Sequence, residues 1–288
     1  MRNVELIVVD WDGGEGLMNC LHSIDVQTLP PDRVIVVDNG STTSVYQRLP
    51  QNFMKVPCTV LRNETNLGFT GGINRAMKEV TAPFVGWVSN DVVLSEKWIE
   101  KLLPAASSEG KIAGVQSVNL RDKKTVDGAG ISIDRGIFRQ VGHGEALGRI
   151  RPPAAPWGIA STAALFRTHA LQEAAVAGNV LRPDFFAYSE DVELCARLRE
   201  RGWKFKVVPE ALAMHRGSNS ARRLGRGGFR MRVRNRYLVA RAHPGVGKVS
   251  ELIGEDLSLM MGDLGHTRFR DAFTRLGGVL EGLRRRAK

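Results

Sequence analysis

Four short apolar runs constrain the fold more than anything else in the chain: VELIVV at 4–9, VIVV at 34–37, CTVL at 58–61 and FVGWV at 84–88. None shows strict alternation of apolar and polar residues, so each reads as a strand covered on both faces, the pattern of a parallel sheet. The stretches between them suit crossover helices. Residues 14–27 place Leu17, Cys20, Leu21 and Ile24 on one face, and 71–80 offer a second helix. Strands alternating with helices predict an α/β, doubly wound, Rossmann-like architecture. At 288 residues, 43% of them apolar, the chain has material for one large domain or two halves.

Downstream the pattern changes. Residues 112–141 read as shorter strands and turns, 159–167 as another apolar run, and 189–201 as a helix that Gly202 stops before the strand WKFKVVP. Beyond 216 the chain reads as helices near 228–242, 247–262 and 266–285, broken at His243-Pro244-Gly245. Charge divides at the same place. Residues 1–215 hold 24 basic and 24 acidic residues, whereas 216–288 hold 17 and 6, so the whole net charge of +11 sits in the last quarter. A basic segment of this kind suits nucleic acid, an anionic membrane, a phosphate-bearing substrate or simply a solvated helix face. No window approaches the ~20 apolar residues that a spanning helix needs. The run before Asp10 is too short for a signal peptide, and Cys20, Cys58 and Cys195 form no CxxC pair. These features predict a cytoplasmic protein, soluble or peripheral on the inner face of a membrane.

In open α/β sheets ligands sit beyond the carboxyl ends of the strands. The residues there are polar at every strand: Asp10-Trp11-Asp12, Asp38-Asn39-Gly40-Ser41, Asn63 to Asn66 leading into Gly68, and Ser89-Asn90-Asp91. Asp38 can accept from a base ring nitrogen or serve only as a turn residue. The segment Asn66-Leu67-Gly68-Phe69-Thr70-Gly71-Gly72-Ile73-Asn74 opens a helix with three glycines, which lets amides approach a phosphate or ribose or merely allows close packing. Asp91, with His215 after a later strand, could hold a hard divalent cation. Glu190 and Asp191 start a helix behind the aromatic segment Phe185-Phe186-Ala187-Tyr188, as caps or as a general base. Arg234 and Arg236 could clamp a diphosphate.

Taken in order, VDNGS at 37–41, NLGFTGGIN at 66–74, SNDVVL at 89–94, FFAYSEDVELCARLRERGW at 185–203, VPEALAMH at 208–215 and RNR at 234–236 resemble the inverting family 2 glycosyltransferases of glycosyltransferase A fold. VVDWDGGEG near the start and VDGAGISIDRGIFRQVGHGE at 126–145 are similar to the rhamnosyltransferase-like branch. The resemblance covers about 1–240, and 245–288 is unmatched. It implies that Asp38 reads a pyrimidine, that Trp11 and Asp12 border the nucleoside, and that Asn66, Gly68, Gly71, Asn74, Asn90 and Arg234 complete the nucleotide-sugar site. It further implies that Asp91 and His215 bind Mg2+ or Mn2+ and that Asp191 is the base, with Glu190 beside it. The sequence departs from the family where the DxD-type motif is reduced to Ser89-Asn90-Asp91 and where Asp10 and Asp12 replace commoner asparagines.

The reading is a glycosyltransferase A domain over 1–220, with a nucleotide-sugar half at 1–115 and an acceptor half at 116–220, followed by a basic helical segment at 221–288. It moves a sugar from dTDP-rhamnose or a UDP-sugar to a hydroxyl of a glycan or lipid-linked acceptor, with nucleic acid an unlikely partner. The rivals are a nucleotidyltransferase, which would release pyrophosphate, and a non-catalytic binder of nucleic acid or membrane. In the tail, Phe269, Phe273, Leu276, Leu280 and Leu283 form an apolar seam with Arg268, Arg270, Arg275 and Arg284 to Arg286 around it. That seam docks either on the core or on anionic lipid.

Overall fold

The computed structural model describes residues 3–49, 53–108, 110–134, 137–215, 217 and 219–285, with backbone alone over 219–222. The first half runs β1 (Val4–Asp10), α1 (Glu15–Asp25), β2 (Arg33–Asn39), α2 (Val45–Arg48), β3 (Cys58–Asn63), α3 (Gly68–Met77), β4 (Phe84–Ser89), β5 (Val92–Leu94) and α4 (Trp98–Ser107). The second runs β6 (Ile112–Leu120), β7 (Val126–Gly128), β8 (Ile131–Asp134), β9 (Ile137–Gln140), β10 (Ala163–Arg167), α5 (Thr168–Glu173), α6 (Glu190–Glu200) and β11 (Lys204–His215). Three helices close the chain: α7 (Asn219–Ala242), α8 (Val249–Gly265) and α9 (Phe269–Arg284).

The central sheet has the order β3-β2-β1-β4-β10-β6-β11-β5, with β7 added on β6. The first four strands are parallel, as their unbroken apolar runs predict. Beyond β4 the sheet is mixed: β10 lies antiparallel between β4 and β6, and β5 is antiparallel to β11. The reason is the path of the chain. It leaves β6 at the carboxyl rim and remains there through the β8–β9 hairpin, so β10 enters the sheet from that rim and runs the opposite way.

Each face of the sheet has its own core. Leu6 and Val8 of β1 pack with Leu17, Leu21 and Ile24 of α1 and Trp98, Ile99 and Leu102 of α4. Ile7 faces the other side, with Ile73 of α3, Trp87, Phe166 and Leu194 and Leu198 of α6. The helix α3 begins at Gly68 rather than near 71. Gly68 has φ of +73°, and a Cβ there would lie 2.2 Å from the carbonyl oxygen of Phe186, so only glycine admits that approach.

The C-terminal helices do not pack by the apolar seam of α9. Its Ala272, Gly278, Val279 and Gly282 are buried. Gly278 and Gly282 bring its backbone onto α7, where added Cβ atoms would meet Val233 at 2.8 Å and Tyr237 at 2.7 Å. The expected seam of Phe269, Phe273, Leu276, Leu280 and Leu283 is exposed, which corrects the docking on the core. Arg286, expected at its rim, lies outside the described residues.

Candidate active site

The carboxyl ends of β1, β2 and β4 and the start of α3 open onto a cleft of about 190 Å3. The structure brings Trp11, Asn66, Gly68, Asn90, Asp91, Glu190 and His215 to its wall, together with Asn39, Phe186, Tyr188 and Leu224. Asn66 shapes the floor. Its Oδ1 accepts from the Gly68 amide at 2.8 Å and from Asn39 Nδ2 at 2.9 Å. Asn90 Nδ2 donates to Asp10 Oδ1 at 2.7 Å, and Asp10 also takes Arg48 at 2.5 Å, so the buried charge at position 10 is compensated. Asp12 accepts from the Thr42 amide at 2.8 Å.

Two arginine contacts were not foreseen in the sequence. Arg223, at the start of α7, stacks its guanidinium 5.7 Å from the Trp11 ring and donates to the Trp11 carbonyl at 3.2 Å. With Leu224 on the cleft wall, the first turns of α7 form part of the mouth.

Asp12, Asp38, Gly71, Asn74 and Arg234 are not on the cleft wall. Asp38 is fully buried and accepts from the amides of Ser41 and Val45, each at 3.0 Å, and from Arg62. Burial alone would raise its pKa, but those amides and Arg62 hold it below the ordinary carboxylate value. A base edge would have to displace Arg62, the partly exposed partner. A Cβ on Gly71 would fall 2.4 Å from that of Leu67, so this glycine serves the first turn of α3. Asn74 ties α3 to Leu181, donating to its carbonyl at 2.6 Å and accepting from its amide at 2.9 Å.

Arg234 corrects the diphosphate clamp read from RNR. It is buried and donates to the carbonyls of Asp184 and Phe185, each at 3.2 Å. The neighbouring Asn235, unremarked in the sequence, donates through Nδ2 to the carbonyls of Phe185, Ala187 and Tyr188 at 3.0, 2.8 and 2.7 Å. Phe186, Tyr188 and Ser189 all have positive φ, 62°, 71° and 62°. Such conformations cost ~1–3 kcal/mol each and persist where the surroundings over-determine them. Arg234 and Asn235 are those surroundings.

Asp91 and His215 meet at the cleft. His215 Nε2 lies 3.4 Å from Asp91 Oδ2, and its Nδ1 lies 2.8 Å from Asp127 Oδ2. Burial disfavours the imidazolium, but Asp127 and Asp91 outweigh it and push the His215 pKa up to about 9. Asp127 was not singled out in the sequence; it fixes which ring nitrogen faces Asp91. Asp91 Oδ2 is buried and makes no hydrogen bond, an orphaned carboxylate oxygen beside an imidazole nitrogen. That donor pair fits a divalent cation, for which the imidazole would give up its Nε2 proton. Among the described residues no third His, Cys, Asp or Glu joins them in a ligand cluster, so a cation here would draw on substrate phosphate and water.

Glu190 and Asp191 divide between two spaces. Glu190 lines the cleft and also a second cavity of about 530 Å3, which is walled by Asp191, Phe138, Tyr188, Arg232 and Arg275 of α9. Glu190 Oε2 is buried without a hydrogen bond. Burial and the charge of Asp191 push the Glu190 pKa well above the carboxylate range. Burial likewise raises Asp191, against the amides of Val192 and Ser161 that favour its charge. The arrangement is an adjacent carboxylate pair, Glu190 buried where the two cavities meet and Asp191 half-buried on the wall of the second, suited to proton abstraction.

The family model for glycosyl transferase family 2 matches residues 5–173. An N-acetylglucosaminyl-diphospho-decaprenol L-rhamnosyltransferase of Mycobacterium tuberculosis is 28% identical over 247 residues, covering 76% of this chain and 77% of the relative. The solved structure of GalNAc-T7 with UDP, GalNAc and Mn2+ aligns at TM-score 0.63 and 15% identity over 82% of this chain and 47% of that one. A mannosyltransferase from Pyrobaculum calidifontis, in complex with GDP-Man and Mn2+, aligns at TM-score 0.61 and 14% identity over 98% of this chain and 87% of that one. The family match spans more than half of the chain and begins in β1, whose carboxyl end carries Trp11 into the cleft: the protein belongs to glycosyl transferase family 2.

Proposed function

We propose that this glycosyltransferase binds a nucleotide diphosphate sugar, dTDP-rhamnose or a UDP-sugar, in the cleft of Trp11, Asn66, Asp91 and His215 and transfers the sugar with inversion to an acceptor in the second cavity. The observation that carries this reading is Glu190, which together with Tyr188 walls both spaces. In this reading 1–115 form the donor half, 116–220 the acceptor half, and 221–288 an appended helical segment. Trp11 and Asp12 border the nucleoside, Asp38 meets the base edge in place of Arg62, and Gly68 and Asn90 face the phosphates and sugar.

Asp91 and His215 would hold Mg2+ or Mn2+, and a cation bound there neutralises charge growing on the departing diphosphate. Asp127 keeps Nε2 of His215 facing Asp91. Asp191 takes the proton of the acceptor hydroxyl, whose oxygen forms the new bond to the anomeric carbon as the bond to the nucleotide diphosphate breaks on the opposite face. Glu190, held protonated by burial and by the charge of Asp191, excludes water from the junction. The relative's name, with its diphospho-decaprenol, supports a lipid-linked acceptor and so transfer at a membrane surface.

The test is a screen of nucleotide sugars against lipid-linked and glycan acceptors, reading nucleotide diphosphate release. Release of the diphosphate with a glycosylated product is the expected result; release of pyrophosphate would show nucleotidyl transfer instead.

A further inference from the structure

The outer face of the α8–α9 hairpin carries a row of exposed apolar side chains that the proposed donor and acceptor sites leave unexplained. In α9 the residues Phe269, Phe273, Leu276, Leu280 and Leu283 recur at spacings of four and three, so they share one helix face, and all five are exposed, Phe273 by 69%. In α8 the residues Leu257, Met261 and Leu264 repeat the pattern and are exposed too, Met261 by 74%. The small residues of α9 face α7, while the bulky ones face outward. This is the reverse of what a helix does when its apolar face serves the core alone.

We infer that this face docks on an anionic lipid surface. This deepens the membrane-facing part of the proposed function and rests on the hairpin alone. Three observations select lipid. Arg270 and Arg284 lie on the solvent side of α9 next to the stripe, and among the described residues neither is paired with a carboxylate. Four of the hairpin's six acidic residues are engaged by arginines: Asp256 and Asp263 are buried against Arg236, Arg268 and Arg275, Glu255 pairs with Arg236 and Glu281 with Arg230 and Arg234, which leaves Glu251 and Asp271 in the first turns of the two helices. A twofold contact through the same face would set two copies of a segment with 17 basic and 6 acidic residues against each other. Such an isologous interface repels at its rim, whereas anionic headgroups neutralise it. No helix among the described residues is long and apolar enough to cross a membrane, so the contact is one of lying in the interface plane.

The hairpin also has a reason to be there. Arg275 of α9 and Phe229, Arg232 and Arg236 of α7 wall the second cavity. A membrane held by the outer face of α9 therefore lies against the element that lines the acceptor side, where a lipid-linked hydroxyl would arrive.

The experiment is flotation of the full chain with vesicles of phosphatidylcholine alone or mixed with phosphatidylglycerol, without donor or acceptor, at low and high salt. Wild type should float with the mixed vesicles at low salt. Phe273→Ser with Leu280→Ser should abolish flotation while nucleotide diphosphate binding, which reports the fold, is unchanged. Arg270→Glu with Arg284→Glu should reduce partitioning to the mixed vesicles by at least about tenfold. Absence of flotation with mixed vesicles at low salt overturns the inference. So does a concentration-dependent dimer that Phe273→Ser with Leu280→Ser dissolves while wild-type flotation is absent, which would assign the face to a second copy. Neither failure touches the donor cleft, whose test is diphosphate release.

Discussion

At the residue scale the chemistry turns on two pairs of side chains that hold opposite relations to charge. Glu190 and Asp191 are acids that resist ionisation, first through desolvation and, for Glu190, through its neighbour's charge. Turnover that needs Asp191 ionised should therefore rise with pH along a limb lying above the usual carboxylate range. Glu190 keeps its proton while Asp191 ionises, since burial and then the charge of Asp191 raise it, so Glu190→Gln should leave that limb near its wild-type pH, read from kcat/KM against pH. Asp191→Asn should cut turnover by ~10² to 10⁴ with little change in nucleotide-sugar binding. Loss with Glu190→Gln and retention with Asp191→Asn would exchange the roles. Asp91 and His215 attract charge instead. Asp91→Ala should leave the unfolding temperature near wild type and remove the turnover that Mg2+ or Mn2+ restores after chelation; undiminished activity in EDTA would show that no cation is needed.

At the scale of elements, the α6–α7 contact joins an apolar cluster of Val192, Ala196, Leu238 and Val239 to a set of ions at its end, and the 185–189 loop is held by its carbonyls. Glu193 of α6 pairs with Arg197 at 2.8 Å and accepts from His243, beyond the end of α7, at 3.3 Å; His243 also meets Glu200 at 2.7 Å. Burial opposes both charges, yet the partners lower the Glu193 pKa and raise that of His243. A raised histidine contributes stability that is full below its unfolded pKa of ~6.5 and fades as pH climbs through the folded value. A lowered glutamate contributes stability that is full above ~4.3 and is lost as pH falls. Unfolding free energy from this contact should therefore peak between the two, and His243→Ala should flatten the alkaline side in urea titrations at several pH values. Asn235→Ala strands the carbonyls of Ala187 and Tyr188, while that of Phe185 keeps Arg234, so it should cost about 1–3 kcal/mol and depress turnover through the loop before Glu190. Asn235 shows what the sequence could not disclose. Its partners are 47 to 50 residues away, and Arg223 reaches Trp11 across 212. The strand ends, by contrast, were legible because burial writes itself into consecutive apolar residues, and Trp11, Asn66 and Asp91 follow directly from them, while Glu190 follows from the acidic start of the helix pattern at 189–201. The antiparallel β10 was not, since an apolar run carries no direction.

For the molecule as a whole, the question is how a basic helical segment becomes a wall of an acceptor cavity. Periodicity in α9 announced an apolar seam without saying which neighbour it met, and the answer came from glycines on the opposite face. Gly282 lies so close to α7 that a Cβ would meet the Arg234 carbonyl at 2.9 Å and Tyr237 at 2.7 Å, one of them backbone. Gly262 of α8 has no atom within 4 Å of such a Cβ. The two positions therefore separate helix propensity from packing. Gly262→Ala should stabilise the chain by about 0.5–1 kcal/mol, the gain of alanine over glycine inside a helix. Gly282→Ala should instead cost about 1–3 kcal/mol, because α9 must move off α7. That movement carries Arg275 away from the second cavity and presses on Arg234, which holds the loop before Glu190. KM for acceptor should consequently rise in Gly282→Ala while nucleotide diphosphate binding holds. Equal stability of the two variants in urea would mean that α9 is not seated on α7 through its glycines.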